Sequence, residues 1–199
     1  MALADTFKSN TTSVEFSWPQ GVSGLERIML SARGDLQRLL SAFFARTITI
    51  KTIYSHTSPR THAASIETPL SQKREVHLVC NHKTVCVATS TVTITDPHIE
   101  HLFLDEKFAI GQVFRKMGTQ AEFALLECGS SIDATTGNDK LWRRYILAME
   151  GFECDIIEVF PDREMFTDEA WIEAPETLVK GVEEAKERYQ ATKRISLYA

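Results

Sequence analysis

Two ionisable residues stand where apolar ones are expected. The β-branched and aromatic run in "GFECDIIEVFP" predicts a strand, and side chains alternate across a strand. Cys154, Ile156, Glu158 and Phe160 therefore share one face, and Glu153, Asp155, Ile157 and Val159 the other. In "KREVHLVC" the same alternation groups Arg74 with Val76, Leu78 and Cys80, opposite Glu75, His77 and Val79. An ionised carboxylate buried without a partner costs several kcal/mol or is driven toward its neutral form. Either Glu158 and Arg74 belong to structural ion pairs, with Arg74 able to reach water at the sheet margin, or both face a ligand. A third feature bears on the choice. "FAIGQVF" places Ile110 and Gly111 at a helix start, where free backbone N–H groups favour an anion and a glycine admits close approach. A guanidinium, helix-terminal amides and a carboxylate together suit a small anionic ligand with a hydroxyl or ether oxygen at its far end.

The elements that must position these groups follow from the pattern. Residues 1–20, rich in Ser and Thr and ending in "SWPQG", read as a flexible N-terminal arm. "GLERIMLSARGDLQRLLSAFFA" reads as a helix broken at Gly34, with Asp35 placed to cap the second half. "RTITIKTIYSHT" predicts a strand with Ile48 and Ile50 on one face, and "SPRTHAASIETPLSQ" a loop. "KREVHLVC" and "TVCVATSTVTI" around "NHK" form the clearest hairpin. A helix begins near residues 109–111 and stops at Gly118; "AEFALLECG" fits a strand or a helix, and its place before a Gly/Ser/Asp-rich loop favours the strand. "LWRRYILAM" and "FECDIIEVF" then make a second hairpin. The last segment is helical from Pro175, with Leu178, Val182, Ala185 and Tyr189 as an apolar stripe. About six strands, joined by hairpins or helical excursions, predict a single α+β domain over residues 21–165. Its sheet is mostly antiparallel with helices on one face, and residues 166–199 form a helical extension.

At 199 residues, 43% of them hydrophobic, the chain is long enough for a sizeable core. Its net charge of −5 argues against a nucleic-acid binder. No run approaches the roughly 20 apolar residues of a membrane span, and the N-terminus lacks the apolar run of a signal peptide. Cys80, Cys86, Cys128 and Cys154 contain no Cys-x-x-Cys pair, which argues against thiolate zinc. A cytoplasmic protein with reduced thiols is expected. His98 and His101 have metal-compatible spacing on a helix but no third ligand in view, and surface histidines are the simpler account. Three of the cysteines fall in strands and read as small buried hydrophobes, and none of the four has a neighbour that suggests a nucleophile. Arg143 and Arg144 point to opposite faces of their strand, one of them able to reach a pocket.

Over residues 25–161 the chain resembles the chorismate pyruvate-lyases, whose fold is shared with the ligand-binding UTRA domains of bacterial transcription regulators. "LERIMLSARGDLQRLL" is similar to the family's two helices around a glycine break, and "KREVHLVCNHKTVCVATSTV" to its Arg-Glu-hydrophobic hairpin. "FAIGQVF" stands at the turn into a helix, and "WRRYILAMEGFECDIIEVFP" resembles the Arg-Arg strand, small turn and final strand ending Glu-x-Phe. The resemblance implies a six-stranded antiparallel sheet with helices to one side. It also implies elimination of pyruvate from chorismate to leave 4-hydroxybenzoate, without metal or cofactor. It assigns Arg74 to gripping the ring carboxylate, the backbone N–H at Ile110 to joining it beside Gly111, Leu36 to packing near the ring, and Glu158 to the oxygen opposite. A desolvated Glu158 would then donate a proton to the departing ether oxygen.

The chain departs from the family where another arginine is expected along the hairpin's second strand, for Thr89 or Ser90 stands there. Lys51, Lys73 and Arg60 are cations that could substitute. The proline before the helix-start turn is Ala109, and the slot beside Leu36 is filled by Asp35 and Gln37. Three functions are therefore expected, in this order: a lyase on chorismate or a close analogue; a cofactor-free cyclase, dehydratase or pericyclase on another small molecule; and a non-catalytic small-molecule sensor of the UTRA kind.

Overall fold

The computed structural model describes residues 4–8 and 11–174. Its centre is an open sheet of six antiparallel strands: β3 (Thr49–Thr57), β4 (Leu70–Cys80), β5 (Lys83–Ile94), β6 (Glu122–Ile132), β7 (Asp139–Met149) and β8 (Phe152–Phe160). The spatial order is β3-β4-β5-β8-β7-β6. The β4–β5 hairpin closes through Asn81 and His82, both with positive φ (46° and 74°), the geometry that matches strand twist in a two-residue turn. β7 and β8 close through Glu150 and Gly151, and Gly151 takes φ 79°.

Helices cover one face. α1 (Gly24–Leu30) starts in a capping box: the Ser23 hydroxyl accepts from the N–H of Glu26, whose carboxylate accepts from the N–H of Ser23 at 2.7 Å. Gly34 turns the chain with φ 83° into α2 (Leu36–Phe44). Asp35 occupies the cap position of α2, but its side chain makes no capping hydrogen bond, contrary to the expectation from its type. Asp96 caps α3 (Pro97–Glu100), which runs on as a wider helical turn over His101–Asp105. α4 (Ile110–Lys116) follows.

Burial alternates along the strands as the period-two pattern requires. In β8 the buried residues are Phe152, Cys154, Ile156, Glu158 and Phe160; in β7 they are Leu141, Arg143, Tyr145 and Leu147. The core forms two patches. Leu30 and Leu40 pack with Leu78, Leu141 and Phe160. Ile99, Phe103, Val113 and Phe114 pack with Val92, Leu125, Leu147 and Phe152.

Core packing extends across both expected domain boundaries. Within the expected N-terminal arm, Ala4–Lys8 (β1) pairs with Thr11–Glu15 (β2), and Phe16 and Trp18 stack edge to face and pack on the core. Ser and Thr are favourable in strands but carry no apolar alternation to announce them. At the other end, Met165, Phe166 and Ile172 are buried in the first core patch, so the domain continues past residue 165 through a short helical turn at Arg163–Phe166. The expected C-terminal helix from Pro175 lies outside the described residues. None of the described helices is long and apolar enough to cross a membrane.

Candidate functional site

Between the sheet and the helices lies a cavity of about 620 Å³. Its floor comes from β4, β5, β7 and β8, and its sides from the first turns of α2 and α4. Arg74, Leu36, Ile110, Gly111 and Glu158, drawn from four separate elements, all line it. Sheet register explains how two distant residues share one floor. Arg74 is opposite Ser90, Ser90 is opposite Ile156, and Glu158 lies one inward position further along β8. From standard strand spacing this puts their backbones about 12 Å apart.

Arg74 is half-buried and forms no hydrogen bond or ion pair among the described residues. Its guanidinium carbon lies 5.7 Å from the ring centroid of Phe103, a cation–π contact from the turn after α3. Burial holds its pKa below the usual arginine value, only partly offset by the nearby Cys154 sulfur. Among the described residues it remains a cation without a counter-ion.

Glu158 is different. It is only 6% exposed, and its carboxylate is already engaged. Arg143, fully buried on β7, donates from Nε to Oε2 at 2.7 Å, while Tyr145 donates its hydroxyl to Oε1 at 2.9 Å. The Arg143 guanidinium carbon sits 4.4 Å from the Tyr145 ring centroid. Nη1 of Arg143 also donates to the carbonyls of Leu30 and Ala32, at 2.8 and 2.7 Å, at the end of α1 where carbonyls have no intrahelical partner. Burial alone would lower the Arg143 pKa, but Glu158 and Tyr145 reverse that and raise it. Burial raises the Tyr145 phenol well above its ordinary value, and the Glu158 charge adds to the shift. The expectation of a partnerless carboxylate kept as a proton donor is therefore corrected. Both Glu158 oxygens act as acceptors, and its buried partner is Arg143 rather than Arg74.

The expected substitutes for a second cation lie elsewhere. Arg60 is bound to Glu100 and Asp105. Lys73 lies in a shallow depression on the sheet's outer face with Arg144 and Asp155, and Lys51 stands opposite the outward-facing His77. Of the two residues at the matching place, Ser90 lines the cavity and Thr89 the outer depression, which Ser90 also touches. Two cations not anticipated from the sequence line the cavity instead: Arg38 on α2 and Arg115 on α4. Arg115 follows Gly111 by four residues and so shares its helix face. That spacing was the available signal. Where a Cβ on Gly111 would stand, the Gly34 carbonyl oxygen is 3.4 Å away, so the starts of the two helices meet at this glycine.

The cysteines and histidines do not come together as a site among the described residues. Burial raises the pKa of Cys80, Cys86, Cys128 and Cys154, which disfavours the nucleophilic thiolate. His98 and His101 are exposed, and among the described residues no three His, Cys, Asp or Glu side chains are grouped to hold a metal ion.

No protein-family model matches this chain, and no curated protein is significantly similar to it.

Proposed function

We propose that this chain is a cofactor-independent lyase that eliminates pyruvate from chorismate or a close analogue, leaving 4-hydroxybenzoate. The observation that carries this reading is Arg74, an inward guanidinium with no carboxylate partner among the described residues, on the floor of a cavity it shares with Glu158. A volume of about 620 Å³ is in the range of small-molecule sites. The ligand's ring carboxylate lies on Arg74, whose planar fork suits bidentate binding. The first-turn N–H groups at Ile110 and Gly111 join it. Leu36, Tyr145 and Ile156 flank the ring, and a ring hydroxyl donates to Glu158.

In the reaction the ring C–O bond to the enolpyruvyl group breaks. The ring loses a proton and becomes aromatic, and the departing group takes up that proton to leave as pyruvate. Aromatisation supplies driving force, so holding the reactive conformer is the main task left to the protein. Glu158, fixed by Arg143 and Tyr145, orients the ring as an acceptor and does not supply the proton.

That fixed carboxylate also favours a second reading, a cofactor-free cyclase or pericyclase in which the same cavity shapes another carboxylated molecule. Incubation with chorismate, following 4-hydroxybenzoate and pyruvate by chromatography, separates the two. Equimolar products from wild type, lost in Arg74→Gln, support the lyase. A well-folded wild type that forms neither product rules out chorismate as the substrate and favours the cyclase.

A further inference from the structure

The cavity holds more positive charge than one carboxylate needs. Arg46, Arg60, Arg143, Arg144 and Arg163 each pair with a carboxylate. Arg27 donates to the Val22 carbonyl at 3.2 Å, and Arg33 faces the Phe123 ring at 5.9 Å. The arginines that remain among the described residues are Arg38, Arg74 and Arg115, and all three line the same cavity. The acidic side chains in its lining are Asp35, which forms no ion pair among the described residues, and Glu158, which Arg143 already neutralises. In a chain with 27 acidic and 22 basic residues, three such arginines lining one cavity are not a consequence of composition. Like charges facing a partly desolvated space repel, and the arrangement is relieved when anions enter it.

The three differ in depth. Arg74 is half-buried on the floor, whereas Arg38 and Arg115 are exposed on two helices whose starts meet where Gly111 approaches the Gly34 carbonyl. We infer that Arg38 and Arg115 form a second anion-binding point at the mouth, taking the outer acidic group of a ligand whose inner carboxylate lies on Arg74. The ligand is then a small ring compound with two acidic groups, and the outer one bridges α2 and α4. This rests on the ligand orientation proposed above but not on the reaction.

Calorimetric titration with two inert compounds tests it: 3-methoxybenzoate, with one carboxylate, and 3-(carboxymethoxy)benzoate, with two. Wild type should bind the second roughly ten-fold or more tightly than the first. The double variant Arg38→Gln/Arg115→Gln, altered only at exposed side chains, should cut that preference to about two-fold or less and leave the monoanion's affinity unchanged. Added salt should narrow the wild-type preference. A preference that survives in the double variant overturns the inference, as does a wild type that binds both compounds equally or neither. Arg74→Gln separates this from the orientation it rests on. Loss of both compounds' affinity supports the orientation, whereas unchanged monoanion binding overturns it even if the mouth arginines still select the dianion.

Discussion

Arg143 and Glu158 stand directly opposite each other on neighbouring strands, with Nη2 of one 2.6 Å from Oε2 of the other. The pair joins three elements, because Arg143 also holds two carbonyls at the end of α1. Breaking such a pair from one side leaves the other charge buried and uncompensated.

Arg143→Met should therefore cost about 3–5 kcal/mol of stability. The double change Arg143→Met/Glu158→Leu should cost less than the sum of the single changes, since it removes both charges together. Urea unfolding of the four proteins checks both statements. The neighbouring Arg144, which pairs with Asp155 on the outer face and is 41% exposed, provides the contrast. Arg144→Ala should leave the unfolding midpoint close to wild type.

Tyr145→Phe keeps the ring beside the cavity and deletes only the donor to Glu158. One acceptor oxygen then loses a buried hydrogen bond, at a cost of about 1–2 kcal/mol. If Glu158 orients the ligand, its remaining tie to Arg143 keeps it in place. Affinity for 4-hydroxybenzoate should then fall only a few-fold, while Arg74→Gln loses it almost entirely. Equilibrium titration of the two variants gives the comparison.

A second buried carboxylate predicts how the protein responds to acid. Burial pushes the Glu26 carboxyl up, but its bonds to Arg163 and to Ser23 outweigh this and hold it below the ordinary range. A depressed carboxyl contributes stability that is fully present above its unfolded pKa, about 4.3, and is lost as pH falls through the folded value. Stability should therefore drop as pH is lowered from 5. Glu26→Gln should be less stable at pH 7 and show a flatter acid limb in denaturation measured at successive pH values.

Gly151→Ala should fold poorly. At φ 79° a Cβ is strained, and here it would stand 2.6 Å from the Cβ of Asp96. Asp96 accepts from the N–H groups of His98 and Ile99 to start α3, so the clash reaches the helix that carries Phe103 toward Arg74. A loss of roughly 2–4 kcal/mol is expected, measured as a lowered thermal midpoint.

Local periodicity carried much of this architecture into the sequence. The hairpins of β4–β5 and β7–β8 were legible because alternation and turn residues agree there, and alternation also identified Arg74 and Glu158 as inward. The identity of Glu158's partner is a relation between strands, which no single strand's pattern contains. It was still recoverable: a two-residue turn at 150–151 pairs Met149 with Phe152, and counting outward brings Arg143 to Glu158. Arg38 could not have been found that way, because it reaches the cavity through tertiary packing of α2. The β1–β2 hairpin was hidden by its polar composition. Phe166 and Ile172 showed no periodicity to separate core from tail.

The turn at Glu150–Gly151 touches no part of the cavity, yet it sets which way β8 faces. One residue inserted there and propagated along the strand would turn Glu158 to the water side and bring Ile157 inward, leaving Arg143 sealed in with no counter-charge. Surface turns usually tolerate changes of length across a lineage. This one should be frozen at two residues, with its tolerance decided by an ion pair seven positions away in either direction.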